Sequence, residues 1–300
     1  MDSKKFFSPA KINLFLAYTH ERINGLHKLV SLVSPIDFGD TLTISQNKTL
    51  KQDKLFCTNP ALPTDQSNLV LKASQLFKEK AKIDLSFEFH LDKKIPIEAG
   101  LGGGSSNATS TLIGLNQILN SPLNKKDLFE ITAQLGSDCS LFLENQLVII
   151  RDCGETVQQV SNETANKLIN QKIVLIKPDF AVSTAWACHQ LMNNPKYYVS
   201  PEDAEQRLQH FLKHLNKWPE HFFNNFQPLI FKHFKILNDL ESKLLSDFER
   251  RLCLSGSGSA CFIPVPDALD LSQLVKVIKT YLGKNIFIVE SHLKFSIMSL

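Results

Sequence analysis

The densest chemistry in the sequence lies between Pro96 and Ser106, where Gly100-Leu101-Gly102-Gly103-Gly104-Ser105-Ser106 stands directly before a stretch of helical periodicity. A helix start leaves backbone N–H groups without partners and carries partial positive charge, so it attracts phosphate. Glycines let the backbone approach an anion with no Cβ in the way. The two serines add hydroxyls that can meet phosphate oxygens or Mg²⁺. A flexible turn would not need four glycines in five positions. The string fits neither the Walker pattern G-x-x-x-x-G-K-[ST] nor the dinucleotide fingerprint G-x-G-x-x-G, since Ser105 stands where the third glycine would be. It reads as a phosphate cradle of another kind.

Two other segments carry polar groups in unusual settings. Lys11 and Asn13 interrupt an apolar strand two residues apart, so both side chains share one face. Edge-strand polarity is the alternative. Near the other end, Ser255-Gly256-Ser257-Gly258-Ser259 follows a strand. It reads either as a second backbone-rich ligand contact through Gly256, Ser257 and Gly258, or as a plain turn. Taken alone, Asp138 in Gly136-Ser137-Asp138 is a candidate base, a turn residue or a helix N-cap.

The elements that must position these groups alternate along the chain. Residues 5–16, 29–36 and 40–45 have strand character, with Phe38-Gly39-Asp40 as a turn between the last two. Residues 46–66 are polar and punctuated by proline, as in an exposed loop. Apolar spacing predicts a helix from Asn68, a strand over 85–91, then the glycine loop and its helix carrying Ala108, Leu112, Leu115 and Leu119 on one stripe. A helix over 125–135 and a strand over 146–151 follow, and the polar stretch 152–170 suits a domain boundary. Beyond it come a strand at 172–177, helices near 183–192, 202–215 and 228–245, a strand at 251–254, a helix near 270–281 and a strand at 285–289. This irregular order predicts an α+β fold rather than a doubly wound sheet.

Composition removes several classes. A net charge of +3, with 33 basic residues scattered among 30 acidic ones, leaves no nucleic-acid footprint or polybasic tail. No run approaches the roughly 18 apolar residues of a membrane span, and the first residues do not read as a signal peptide. The six cysteines form no C-x-x-C pair or zinc spacing. A cytoplasmic protein with reduced thiols is expected, acting on a small molecule, without nucleic acid or membrane, as a monomer or homodimer.

Taken together, PAKINLFL, PIEAGLGGGSSNA and LSGSGSACF resemble the three motifs of the GHMP kinases, in that family's order and spacing over nearly the whole chain. RINGLHKL, DFGD, SNLVLKA, LGSDCSLFL, CGE and VSTA are similar to the branch that phosphorylates a cytidine-diphosphate-linked alcohol in the non-mevalonate route to isoprenoids. The resemblance implies an N-terminal domain like the second domain of ribosomal protein S5, over 1–160, and a ferredoxin-like C-terminal domain, over 161–300. The active site would lie between them.

Carried over, Asp138 takes the place of the catalytic base and Lys11 that of its partner at the reacting hydroxyl. Asn13 and Thr184 would hold the substrate, and His27, beside Leu26, would read the cytosine edge. Pro96, Ile97, Glu98, Ala99, Gly100, Leu101, Gly102, Gly103, Gly104, Ser105 and Ser106 would form the ATP loop, with Asn68 and Lys93 near adenine. ATP is the implied co-substrate and Mg²⁺ its expected companion, with no protein ligand to the metal assigned. The chain departs from the branch in three places. Leu26 and Cys188 stand where aromatics sandwich the base, with Trp186 close to the second, and Gly136-Ser137-Asp138-Cys139-Ser140-Leu141-Phe142 lacks the usual proline. The remaining readings are a GHMP kinase with another acceptor, such as homoserine or mevalonate, and an inactive nucleotide-binding relative.

Overall fold

The computed structural model describes residues 3–294. Two strands of 21 residues each, β1 (Ser3–Ile23) and β2 (Leu26–Gln46), form a long antiparallel hairpin around Asn24-Gly25. Both turn residues have positive φ, 50° and 82°, as a two-residue hairpin turn requires. The expected turn at Phe38-Gly39-Asp40 is absent, and β2 runs straight through it. Pairing shifts there from Pro9↔Gly39 to Lys11↔Pro35, so Ile36, Asp37 and Phe38 bulge from the ladder. A Cβ on Gly39 would stand 2.3 Å from the Ser8 carbonyl, so this glycine serves close approach between strands and not reversal.

The supposed loop over 46–66 also holds a strand, β3 (Lys54–Cys57). Its polar composition hid it, because the buried Asp53 just before it is used internally. That carboxylate accepts from the Ser74 hydroxyl and the Phe87 amide and meets Lys78 Nζ at 2.8 Å. Helix α1 (Leu69–Ala81), strand β4 (Phe87–Asp92), helix α2 (Gly103–Ile118), helix α3 (Lys125–Leu135) and the short α4 (Cys139–Glu144) follow. Strands β5 (Val148–Asp152) and β6 (Thr156–Gln159) and the single turn α5 (Asn162–Asn166) occupy the predicted boundary region.

In the second half, β7 (Lys172–Lys177), α6 (Thr184–Met192) and α7 (Pro201–Lys213) match the periodicity. A two-residue strand, β8 (Phe223–Asn224), was not foreseen. The single helix expected over 228–245 is two, α8 (Gln227–His233) and α9 (Lys235–Phe248), because Phe234 takes φ −100° and ψ 77° and breaks the ladder. Apolar spacing continues across such a break, so periodicity alone does not reveal it. Strands β9 (Cys253–Leu254) and β10 (Cys261–Pro264), helix α10 (Leu271–Leu282) and strand β11 (Phe287–His292) complete the described chain.

The result is α+β, as expected, and it has two sheets. The larger runs β3-β4-β2-β1-β8, with β5 also paired to β2 and β6 to β5, and the smaller runs β11-β7-β10-β9. Residues 10–17 of β1 are buried almost throughout. Helix α2 packs against this sheet beside α1, and one buried cluster joins Ile12, Leu14 and Phe15 of β1 to Leu208 and Phe211 of α7 and Phe262 of β10. The strand carrying Lys11 and Asn13 is therefore held rigid from both sides. Among the described residues no helix is long and apolar enough to cross a membrane.

Candidate active site

Lys11 and Asn13 emerge from the most buried part of β1, both only 6% exposed. Lys11 Nζ donates to Asn13 Oδ1 at 2.7 Å, Asn13 Nδ2 donates to Ser31 Oγ at 2.9 Å, and Ser31 donates to the Phe15 carbonyl at 2.7 Å. This chain fixes the Lys11 ammonium at a single place, 3.9 Å from Asp138 Oδ2. Burial pulls the Lys11 pKa below the usual lysine range, and the Asp138 charge opposes that pull. Asp138 occupies the N-cap position of α4, yet its side chain makes no capping bond. Its carboxylate faces the cleft, about half exposed.

The glycine loop arrives from β4 and passes directly over these groups. The Lys11 amide donates to the Leu101 carbonyl at 3.0 Å, which ties the loop to β1. Helix α2 starts from Gly102, at φ 68°, with no side-chain cap, and its first helical bond is from the Ser106 amide to Gly102. The amides of Gly103, Gly104 and Ser105 thus have no helical carbonyl to meet, and all three residues line the cleft. Ser106 Oγ is buried without a partner.

The loop over 255–259 closes the other side. The Ala260 amide donates to the Ala99 carbonyl at 3.1 Å, and Ser255 Oγ donates to Gly100 O at 3.2 Å. A Cβ on Gly100, at φ 74°, would stand 2.4 Å from the Ser255 carbonyl, so the two loops meet at a distance only glycine permits. Asn224 of β8 holds the second loop from behind, donating to the carbonyls of Leu254 and Gly256 at 2.9 Å each. Ser257 Oγ shares a 2.9 Å hydrogen bond with Thr184 Oγ1 at the start of α6.

Between these parts lies a cleft of about 670 Å³. Lys11, Asn13, Asn68, Lys93, Pro96 to Ser105, Asp138, Thr184, Gly256 and Ser257 line it. One end reaches Tyr18, Leu29, Cys153 and Phe226. Asn68 also caps α1, accepting from the Val70 amide at 2.9 Å. The Lys93 ammonium is already taken, 2.6 Å from Asp40 Oδ2 and 2.9 Å from the Ile95 carbonyl. Ser106, Leu26, His27 and Gly258 are not among the lining residues. Leu26 is 62% exposed at the hairpin tip. His27 Nδ1 donates to the Thr19 carbonyl at 2.9 Å, Arg22 Nε donates to its Nε2 at 3.0 Å, and its ring stacks on Tyr198.

Sequence reasoning missed several supports. Asp40 is fully buried and accepts from Lys93, the Lys94 and Ile95 amides and Asn107 Nδ2, bracing the strand end before the loop against α2. Asn225 accepts from the Tyr18 amide at 2.6 Å. The visible signal was the pair Asn224-Asn225 set inside the aromatic run Phe222-Phe223 and Phe226. Buried amides in such company are there for hydrogen bonds.

A rigid strand presenting Lys11 and Asn13, a capless helix start under four glycines and a second glycine loop facing them form the cleft of a GHMP kinase, an ATP-dependent small-molecule kinase. The family model for the GHMP kinases N-terminal domain matches residues 68–143, from the α1 cap through α4. A 4-diphosphocytidyl-2-C-methyl-D-erythritol kinase of Protochlamydia amoebophila is 37% identical over 262 residues, 87% of this chain and 84% of the relative. One of Chlorobium limicola is 34% identical over 84% of this chain and 85% of that protein. The chain belongs to the 4-diphosphocytidyl-2-C-methyl-D-erythritol kinase family. A crystal structure of a 4-(cytidine 5′-diphospho)-2C-methyl-D-erythritol kinase superposes with a TM-score of 0.75 at 24% identity, over 96% of this chain and 99% of that one, and shares the fold.

Proposed function

We propose that the protein transfers the γ-phosphoryl group of ATP to the 2-hydroxyl of 4-diphosphocytidyl-2-C-methyl-D-erythritol. The observation that carries the reading is the Lys11–Asp138 pair, 3.9 Å apart at the mouth of the uncapped α2 helix. Phosphoryl transfer asks little covalent chemistry of a protein and much positioning. Asp138 accepts the proton of the attacking hydroxyl, while the Lys11 ammonium faces that carboxylate and meets charge developing on the transferred group. Asn13 and Thr184 orient the acceptor, and the free amides of Gly103, Gly104 and Ser105 cradle the phosphates.

Mg²⁺ belongs to this proposal. The loop offers hard oxygen donors that suit it, since Ser105 and Glu98 line the cleft and the buried Ser106 hydroxyl has no partner. When bound with ATP, the ion neutralises charge on the phosphate oxygens. Asn68 and Lys93 frame the adenine end, Lys93 through its hold on the Ile95 carbonyl. His27 and Tyr198 stand beyond the Tyr18 end of the cleft, where the cytosine would arrive, and Arg22 must leave His27 Nε2 for that ring to read a base edge. Residues 1–160 and 161–300 act as two units that present the ATP loop and the Thr184–Ser257 pair to one cleft. A cytoplasmic setting agrees with six cysteines that are all free.

The test is ADP release with ATP, Mg²⁺ and 4-diphosphocytidyl-2-C-methyl-D-erythritol, against homoserine and mevalonate as other acceptors. Turnover on the cytidine substrate that falls about 10²–10⁴-fold in Asp138→Asn, with ATP still bound, supports substrate and base together. Turnover on another acceptor, or none above the ATP-only rate, overturns the reading.

A further inference from the structure

Far along the chain from the ATP loop, three histidines converge where α7 ends. His210 and His214, one helical turn apart, place their ring centroids 4.2 Å from each other. The 3-10 segment Leu215–His221 then folds back and brings the His221 ring to 4.6 Å from that of His210 and 5.3 Å from that of His214. One ring nitrogen of each lies within 4.8 Å of the other two. The first two rings are exposed and the third is half-buried.

Two further observations favour a ligand over simple packing. His214 Nδ1 donates to the His210 carbonyl at 2.9 Å, which fixes its tautomer and leaves the Nε2 lone pair free, as in metal-bound histidines. The cluster also sits at the C-terminal end of a 13-residue helix, where partial negative charge favours a cation.

We propose that His210, His214 and His221 bind one divalent transition ion of the Zn²⁺, Co²⁺ and Ni²⁺ class. Imidazole nitrogen selects these ions over Mg²⁺, which prefers oxygen. Metal–nitrogen bonds of about 2.0–2.1 Å in tetrahedral geometry put the nitrogens roughly 3.3 Å apart, a closure supplied by side-chain rotation of the exposed His210 and by tilting of the His214 ring about its Nδ1 bond. A water completes the shell. The ion clamps the end of α7 to the segment entering β8, three residues before Asn224 holds the Gly256 carbonyl. This site is independent of the kinase chemistry.

The test titrates the full-length, metal-stripped chain with Zn²⁺ by calorimetry, with Co²⁺ absorption and thermal melts alongside. The expected result is one equivalent bound, a raised Tm and a Co²⁺ spectrum without the thiolate charge-transfer band that the free cysteines would give. In His210→Gln/His214→Gln the Kd rises at least tenfold and the Tm gain disappears. If that variant melts below the metal-free parent, His210→Gln alone is read in the same way. No saturable binding, a thiolate band, or an unchanged Kd in the variants overturns the proposal.

Discussion

The ring of His27 lies flat against that of Tyr198, with centroids 4.2 Å apart and planes at 20°. The two residues come from distant parts of the chain, the β1–β2 hairpin and the segment between α6 and α7. Tyr198 therefore supplies, from an unexpected position, an aromatic face beside the histidine that lacks one in its own hairpin, where Leu26 stands. Tyr198 is only 8% exposed, so it acts by holding the His27 ring, and on the proposed function Tyr198→Ala raises KM for the cytidine substrate about 2–10-fold, the worth of one aromatic pair. Its effect on KM for ATP stays within about twofold. Tyr198→Phe keeps the stack and serves as the control, and steady-state kinetics with each substrate varied in turn decides.

The depressed pKa of Lys11 gives a pH prediction. Its charged form is disfavoured by burial and favoured by Asp138. As pH rises through the lowered pKa, the ammonium is lost, so the alkaline limb of kcat falls below the usual lysine range. Asp138→Asn removes the opposing charge, and the Lys11 pKa drops further. Titration of the lysine ¹³Cε resonance in both proteins checks the direction. A shift upward in the variant contradicts the geometry.

Gly100→Ala drives a Cβ to within 2.4 Å of the Ser255 carbonyl at a positive φ. Backbone cannot yield as a side chain does, so one loop must move. The expected cost is about 1–3 kcal/mol of stability, with weaker ATP binding. A thermal melt and an ATP titration read both. A variant that melts and binds like the parent would show that the loops tolerate separation.

Asp40→Ala strands the Lys93 ammonium, whose side chain is 5% exposed, without its carboxylate. Breaking a buried pair from one side costs about 3–5 kcal/mol, so denaturant unfolding of this variant should show one of the larger losses in the protein. The double variant Asp40→Ala/Lys93→Met should recover part of it.

Much of this arrangement was legible in the sequence, for identifiable reasons. Helix α3 and strand β7 fell at their predicted bounds because Lys125–Leu135 starts at an Asn124 capping box and Lys172–Lys177 is a buried apolar run. The uncapped glycine entry to α2 that lines the cleft was legible because few tasks other than holding an anion require so many glycines before a helix. What escaped depends on partners remote in sequence. Strand β8 is two residues long and exists only through pairing with Phe15 and Leu16. The break at Phe234 leaves apolar spacing intact. Tyr198 carries no local mark, since its stacking partner is set by the meeting of two segments. His27 was readable as a motif residue, while its engagement by Thr19 and Arg22 was not.

The bond from the Tyr18 amide to Asn225 links residues 207 positions apart. During synthesis the first strand leaves the ribosome long before its parallel neighbour exists. For most of translation the flank of β1 that β8 later covers at Phe15 and Leu16 is an open edge, and open edges recruit other chains. The nascent protein is thus most exposed to misassembly on the flank that the mature enzyme later seals, and shortening that interval by circular permutation would raise soluble yield without touching the cleft.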